Sequence, residues 1–259
     1  MKISIKKAAL CAAVVIVAVM LFRAISVTLP QSAAQSDTKE GLEYIGAQEK
    51  SEVSDIENEI RRARKDTQLL KKADEAKAQL AEGNFKGAFD GIIITGDSLV
   101  ESIAEYGVLD NSQVIAQIGA GADFLSKKVG EIAAANPEFI VLHFGENELD
   151  KKPNAVYFFE RYQNAIEKLK KRLPDAKILV DSIFPVKKKA YKQEPYTKNI
   201  SYYNDIMKKT AEKLGVVYLD YSKKKDFFTS KYYDADGIHF TEDFYTEKYL
   251  PFVLGEVYK

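Results

Sequence analysis

From about residue 86 the chain alternates between short, continuous apolar runs and longer stretches in which apolar residues recur every three or four positions. The apolar runs, residues 92–95, 114–118, 139–144, 177–180 and 216–219, read as buried strands. Residues 99–106, 124–135, 154–172 and 202–214 carry helical spacing. In 154–172 the residues Val156, Phe159, Tyr162, Ile166 and Leu169 share one face, and Pro174 lies just beyond the end. Asn136-Pro137 and Gly215 stop two of the others, and a last helix runs over about 243–257, interrupted by Pro251. Continuous apolar strands separated by helices predict an α/β fold, with a five-stranded parallel sheet covered on both faces. In such sheets the working site lies at the carboxyl ends of the strands.

The segments before this domain have different patterns. Lys2, Lys6 and Lys7 precede fifteen uncharged residues, 8–22; Arg23 interrupts, and 24–29 is again mostly apolar. Fifteen residues is short of the roughly 17–25 that a spanning helix needs. Counting on through Leu29 gives 22 residues, with Arg23 able to snorkel toward an interface. The pattern predicts a membrane anchor with the lysines inside and the rest of the chain outside. A cleaved signal peptide, with Ser32-Ala33-Ala34 as its cleavage site, is the competing reading. Either places the bulk of the protein outside the cytoplasm. Residues 31–49, rich in Ser, Gln, Gly and acids, read as a flexible tether. Over 50–82, Val53, Ile56, Ile60, Ala63, Leu70, Ala73, Ala76 and Leu80 mark an amphipathic helix stopped by Gly83-Asn84. That helix either packs on the following domain or serves as a short stalk or partner-binding helix. The expected division is a membrane or signal segment (1–30), tether and helix (31–84), and one globular domain (85–259).

Composition narrows the function classes. Lys+Arg and Asp+Glu both number 38, so the basic surplus typical of nucleic-acid binding is missing. The single cysteine, Cys11, lies in the N-terminal apolar run, which leaves no thiol for disulfides or metal sites in the domain.

The residues that can do chemistry fall at the predicted strand ends. Ser98, within Gly96-Asp97-Ser98-Leu99, follows the first strand at a strand-to-helix turn, where its backbone N–H faces outward from a helix N-terminus. Taken alone, a serine there is more often a helix cap than a nucleophile. Gly119 follows the second strand, and Gly145-Glu146-Asn147-Glu148 follows the third. Amides of Ser98 and Gly119 and the side-chain NH₂ of Asn147 would form an oxyanion hole, and Gly121 is an alternative to Gly119. Asp236 and His239, one helical turn apart in a glycine-containing loop after the fifth strand, supply an oriented imidazole base. An isolated Asp-x-x-His pair is more often structural or part of a metal site, but no other histidine or cysteine lies nearby to complete one.

Four blocks in this order and spacing resemble the SGNH (GDSL) hydrolase family of esterases and lipases over about residues 90–250. The resemblance implies a flavodoxin-like sheet with Ser98 as nucleophile, His239 as base, Asp236 as its partner, and Gly119 and Asn147 as oxyanion donors beside Ser98. It implies no cofactor. The third block departs from the family's Gly-x-Asn-Asp by carrying Glu148, a change expected to affect packing more than chemistry. His143 is expected to be a packed, hydrogen-bonded strand histidine, and Asp97 to hold the loop by hydrogen bonds. Tyrosines of the C-terminal third (Tyr191, Tyr196, Tyr202, Tyr203, Tyr232, Tyr233, Tyr245) and Lys187–Lys189 read as half-buried core and a solvated loop. Together these features lead to the expectation of a serine esterase outside the cytoplasm, acting on small acyl esters of cell-wall or extracellular glycans. The alternatives are a glycan O-acetyltransferase using the same triad and a non-catalytic, membrane-anchored binding protein.

Overall fold

The computed structural model describes residues 35–150 and 156–259. The expected membrane or signal segment lies outside the described residues, among which no helix is long and apolar enough to cross a membrane. Helix α1 (Gln35–Ala81) is 47 residues long and includes most of the stretch read as a tether. Residues 35–49 include three Glu and two Gln, all good helix formers, and contain no proline. Their two glycines, Gly41 and Gly46, cost only about 1 kcal/mol each relative to alanine. A polar composition had been taken for a coil, whereas these residue types also sustain helix.

The chain divides into two units at Lys65/Asp66. In the first, α1 exposes Leu42, Tyr44, Val53, Ile56 and Ile60. In the second, the end of α1 buries Ala73 and Ala76, and Leu69 and Leu80 pack against the core. Lys72 of this stretch is paired with Glu138.

The second unit holds the sheet. After the short α2 (Phe85–Ala88), its elements run β1 (Ile92–Gly96), α3 (Ser98–Glu105), β2 (Val114–Ala116), α4 (Ala122–Ala135), β3 (Phe139–His143), α5 (Val156–Arg172), β4 (Lys177–Asp181), α6 (Ile200–Leu214) and β5 (Val217–Leu219). All four strand pairings are parallel, in the spatial order β2-β1-β3-β4-β5. Alternate residues of β1 serve opposite faces. Ile92 and Ile94 join the core under α3 and the C-terminal helix, and Ile93 joins the core under α4, α5 and α6. Strands buried on both sides explain why their sequences read as continuous apolar runs.

The chain ends in α7 (Glu242–Phe244), a π-helical segment over Tyr245–Tyr249, and α8 (Leu250–Val257). Pro251, which marked an interruption in the sequence, sits in the first turn of α8 behind the π segment. There its missing N–H leaves no gap in the hydrogen-bond ladder.

Candidate active site

Two strand ends meet closely at the centre of the sheet. Gly96 of β1 pairs with His143 of β3, and a Cβ on Gly96 would lie 2.5 Å from the His143 carbonyl oxygen and 2.4 Å from Val100 Cγ2. Only glycine lets β1 turn into α3 this close to both neighbours. Asp97 caps the helix by accepting from the Leu99 N–H at 3.0 Å, as expected of a residue that holds this loop. Ser98 is therefore the first residue of α3, half-buried, with its amide among the first-turn N–H groups that lack an intrahelical acceptor.

Opposite it stands the loop between β5 and α7. Asp236 Oδ1 accepts from the backbone N–H groups of Ile238 (2.8 Å) and His239 (3.0 Å), which folds the loop into a compact turn. Asp236 Oδ2 lies 2.6 Å from His239 Nδ1, and His239 Nε2 lies 3.1 Å from Ser98 Oγ. Desolvation opposes the Asp236 charge, but the bond to His239 and the two amide donors outweigh it and hold the carboxyl below its ordinary range. An ionised carboxylate at that distance keeps a proton on Nδ1 and leaves Nε2 as acceptor toward the serine.

The other predicted residues are placed less simply. Asn147 lies in a 3₁₀ turn (Glu146–Glu148) after β3, and its NH₂ donates to Asp97 Oδ2 (3.2 Å) and to the Ala120 carbonyl (3.1 Å). Both of its hydrogens are thus directed to protein acceptors. A cleft of about 250 Å³ is lined by Ser98, His239, Asp97, Asn147 and also Glu146, Leu149, Glu194, Tyr196, Thr197 and Ile238. Gly119 and Gly121 are not among these. Gly119 is exposed, with φ 72°, in the turn after β2, and Gly121 lies against the Glu148 carboxylate. Glu148 Oε1 accepts from the Ala122 N–H at 2.7 Å and so satisfies the N-terminus of α4, a packing role in line with the expectation for this departure from the motif.

A second charge arrangement lies beneath the cleft. His143 is buried, with Nδ1 3.2 Å from Asp181 Oδ2, and Asp181 also accepts from the hydroxyls of Tyr221 (3.1 Å) and Tyr249 (2.7 Å). Burial works against charge on His143, but the hydrogen bond and negative charge of Asp181 prevail and raise its pKa. His143 is the packed strand histidine that its apolar surroundings indicated. A larger cavity, about 680 Å³, lies between α6 and the loop after β5 and includes neither Ser98 nor His239. The chemistry places the site in the smaller cleft.

The model of the GDSL-like lipase/acylhydrolase family matches residues 96–246, more than half of the chain. The chain belongs to that family. Among solved structures it is similar to the lipase/acylhydrolase from Enterococcus faecalis, at 18% identity and a TM-score of 0.50, over 64% of this chain and 94% of that one. A GDSL-like lipase from Bacteroides thetaiotaomicron gives 14% identity and a TM-score of 0.51, over 71% of this chain and 98% of that one. At such identities the likeness is one of fold. No curated protein matches. This GDSL (SGNH) acylhydrolase thus has the family's enzyme class, and its own cleft carries the rest of the argument.

Sequence reasoning passed over Glu146, Leu149, Glu194, Thr197 and Ile238 as lining residues. Glu146 was visible inside the Gly145–Glu148 block, where an acid beside a hydrogen-bond donor is a readable sign. Glu194 and Thr197 come from a loop of short 3₁₀ turns, Lys188–Lys192 and Pro195–Asn199, whose sequence has no strand or helix period.

Proposed function

We propose that this acylhydrolase is a serine esterase working outside the cytoplasm, which removes small acyl groups, acetyl foremost, from cell-wall or extracellular glycans. The observation that carries the reading is the line from Asp236 Oδ2 through His239 to Ser98 Oγ, with distances of 2.6 and 3.1 Å. Ser98 Oγ attacks the ester carbonyl carbon while His239 Nε2 takes its proton. The tetrahedral oxyanion is held by the Ser98 amide and by Asn147, one of whose hydrogens turns from Asp97 or Ala120 toward it; the Gly119 amide joins them only if the turn after β2 moves toward the cleft. The carbon–oxygen bond to the alcohol then breaks, and His239 returns the proton to the departing oxygen. Water attacks the acyl-serine, gives a proton to His239, and the acid leaves as Ser98 recovers its hydroxyl.

The small-acyl preference is supported by the cleft, whose volume of about 250 Å³ and mainly polar lining among the described residues suit a short acyl group better than a long one. The location is supported by the lysine-led apolar run at residues 8–29, and the glycan by that location. The test is hydrolysis of a series of acyl esters from acetyl to octanoyl by the chain and by Ser98→Ala. Turnover should be highest for acetyl and fall at least a thousandfold in the variant. Octanoyl esters cleaved as fast as acetyl would overturn the substrate class, and equal rates in the two proteins would overturn the serine mechanism.

A further inference from the structure

Three acids, Asp97, Glu146 and Glu194, come to the cleft from three different segments of the chain. Glu146 follows Gly145, whose φ of 122° turns the chain sharply out of β3, and precedes Asn147. A Cβ on Gly145 would lie 2.7 Å from Ile183 Cδ1, so this turn has little room to move. Glu146 lines the cleft with one carboxyl oxygen, Oε1, buried and unpartnered among the described residues. Asp97 from the β1–α3 turn and Glu194 from the loop after β4 line the cleft with it, and Asp236 and Tyr233 from the segment before α7 and the buried His143 are close enough to interact with its charge. Among the described residues, no lysine or arginine lines this space. The nearby Lys187 and Lys189 direct their ammonium groups to the carbonyls of Phe228 and Ala235.

We propose that Glu146, together with Glu194, selects the charge of the alcohol part of the ester: the cleft takes alcohols that are uncharged or carry an ammonium group and turns away those carrying a carboxylate. For a glycan substrate this means neutral or amino sugars rather than uronates. The inference rests on the serine-esterase reading of the same cleft. A carboxyl group with a buried, unsatisfied oxygen is far better tolerated neutral than ionised. Burial first, then the charge of Asp97, pushes Glu146 up to about 8 against the opposing effect of His143. Raised in this way, it favours the neutral acid at pH 7, and in that form it can donate one hydrogen bond to a substrate oxygen. An approaching cation favours its ionisation, whereas an approaching anion meets Asp97, Asp236 and Glu194, with no lysine or arginine among the described lining residues to offset them.

The test uses three acetyl esters of similar shape: phenyl acetate, 3-acetoxybenzoate and the 3-acetoxy-N,N,N-trimethylanilinium cation. Their kcat/KM values are measured for the wild type, Glu146→Gln and the double variant Glu146→Gln/Glu194→Gln between pH 6.5 and 9. Differences in intrinsic ester reactivity cancel when proteins are compared. The cation-to-anion ratio of the wild type should exceed that of the double variant by about tenfold. It should also widen as pH passes 8 in the wild type but stay flat in Glu146→Gln, a neutral isostere whose fold is checked by its melting curve. A ratio unchanged by both substitutions, or flat with pH in the wild type, overturns the proposal. The esterase reading fails separately, if the wild type neither cleaves phenyl acetate nor is labelled at Ser98 by a neutral fluorophosphonate, and this inference fails with it. With labelling but no cleavage, the same ratio is read from labelling rates of cationic and anionic fluorophosphonates.

Discussion

Glu148 folds back over Gly121 so that one carboxyl oxygen bonds the Ala122 amide and the other is buried without a partner among the described residues. Burial is the stronger influence and pushes the group from 4.5 to about 7, against the amide bond that favours the anion. A carboxyl whose folded pKa is raised binds more protons in the native state than in the unfolded chain. Its contribution is complete below about pH 4.5 and is lost as pH rises through 7. The shift corresponds to an upper limit of roughly 3 kcal/mol. Glutamine at this position keeps an acceptor for Ala122 and removes the titration. Glu148→Gln should therefore melt with the wild type at pH 4.5 and several degrees above it at pH 8. Glu146 adds a pH-dependent loss of the same sign to both proteins, so it cancels in the comparison. Parallel melting temperatures across that range would show that Glu148 is ionised at little cost. At this scale the sequence was most informative for Ser98, Asp236 and His239, because each is tied by short local geometry: a helix start for the serine, a three-residue turn for the pair. The pairing of Glu148 with the α4 terminus, 26 residues away in the chain, had no local signature.

Among the elements, the five strands were legible because burial on both faces leaves uninterrupted apolar runs, and the helices because Pro137, Pro174 and Gly215 punctuate them. The tether was misread because a charged, glutamine-rich stretch looks alike as coil or exposed helix. The π segment was hidden for another reason: it is set by tertiary demands on its tyrosines. Tyr245 donates to the Leu99 carbonyl at 2.7 Å behind the nucleophile, and Tyr249 donates to Asp181 at 2.7 Å. Both side chains are buried, so the helix widens where two hydroxyls must reach different partners. Asp181 is itself fully buried and depends on His143, Tyr221 and Tyr249 for its hydrogen bonds. Tyr249→Phe removes one of these three without changing the ring packing. The expected cost is about 1–3 kcal/mol, a fall in Tm of roughly 2–4 °C per kcal/mol for a domain of this size. An unchanged Tm would mean that Asp181 is satisfied by the other two donors alone.

At the scale of the molecule, a serine and a histidine 141 residues apart become hydrogen-bonded because the parallel sheet delivers every strand's carboxyl end to one edge. That convergence was foreseeable from the strand–helix alternation. The character of the cleft was not, since Glu194, Tyr196 and Thr197 arrive from a loop whose course only packing decides. The same distinction applies to α1, where periodicity indicated an apolar face but could not say which turns would use it. Within the second unit, Leu69, Ala76 and Leu80 lie on the core that also holds α3 and α8, on the face of the sheet away from α4, α5 and α6, and Ala73 is buried beside them in α1. With the entropy of ordering these turns offset by their own hydrogen bonds, the partial burial of two leucines and two alanines leaves roughly 2–4 kcal/mol of stabilisation. A chain of residues 85–259 should therefore melt about 5–12 °C below one of residues 66–259. Its kcat on acetyl esters should be unchanged, because none of the cleft residues belongs to or touches these turns. Equal melting temperatures would show that the last turns of α1 rest on the domain without supporting it. A loss of kcat in the folded shorter chain would show instead that this face of the core governs the position of α3, and Ser98 with it.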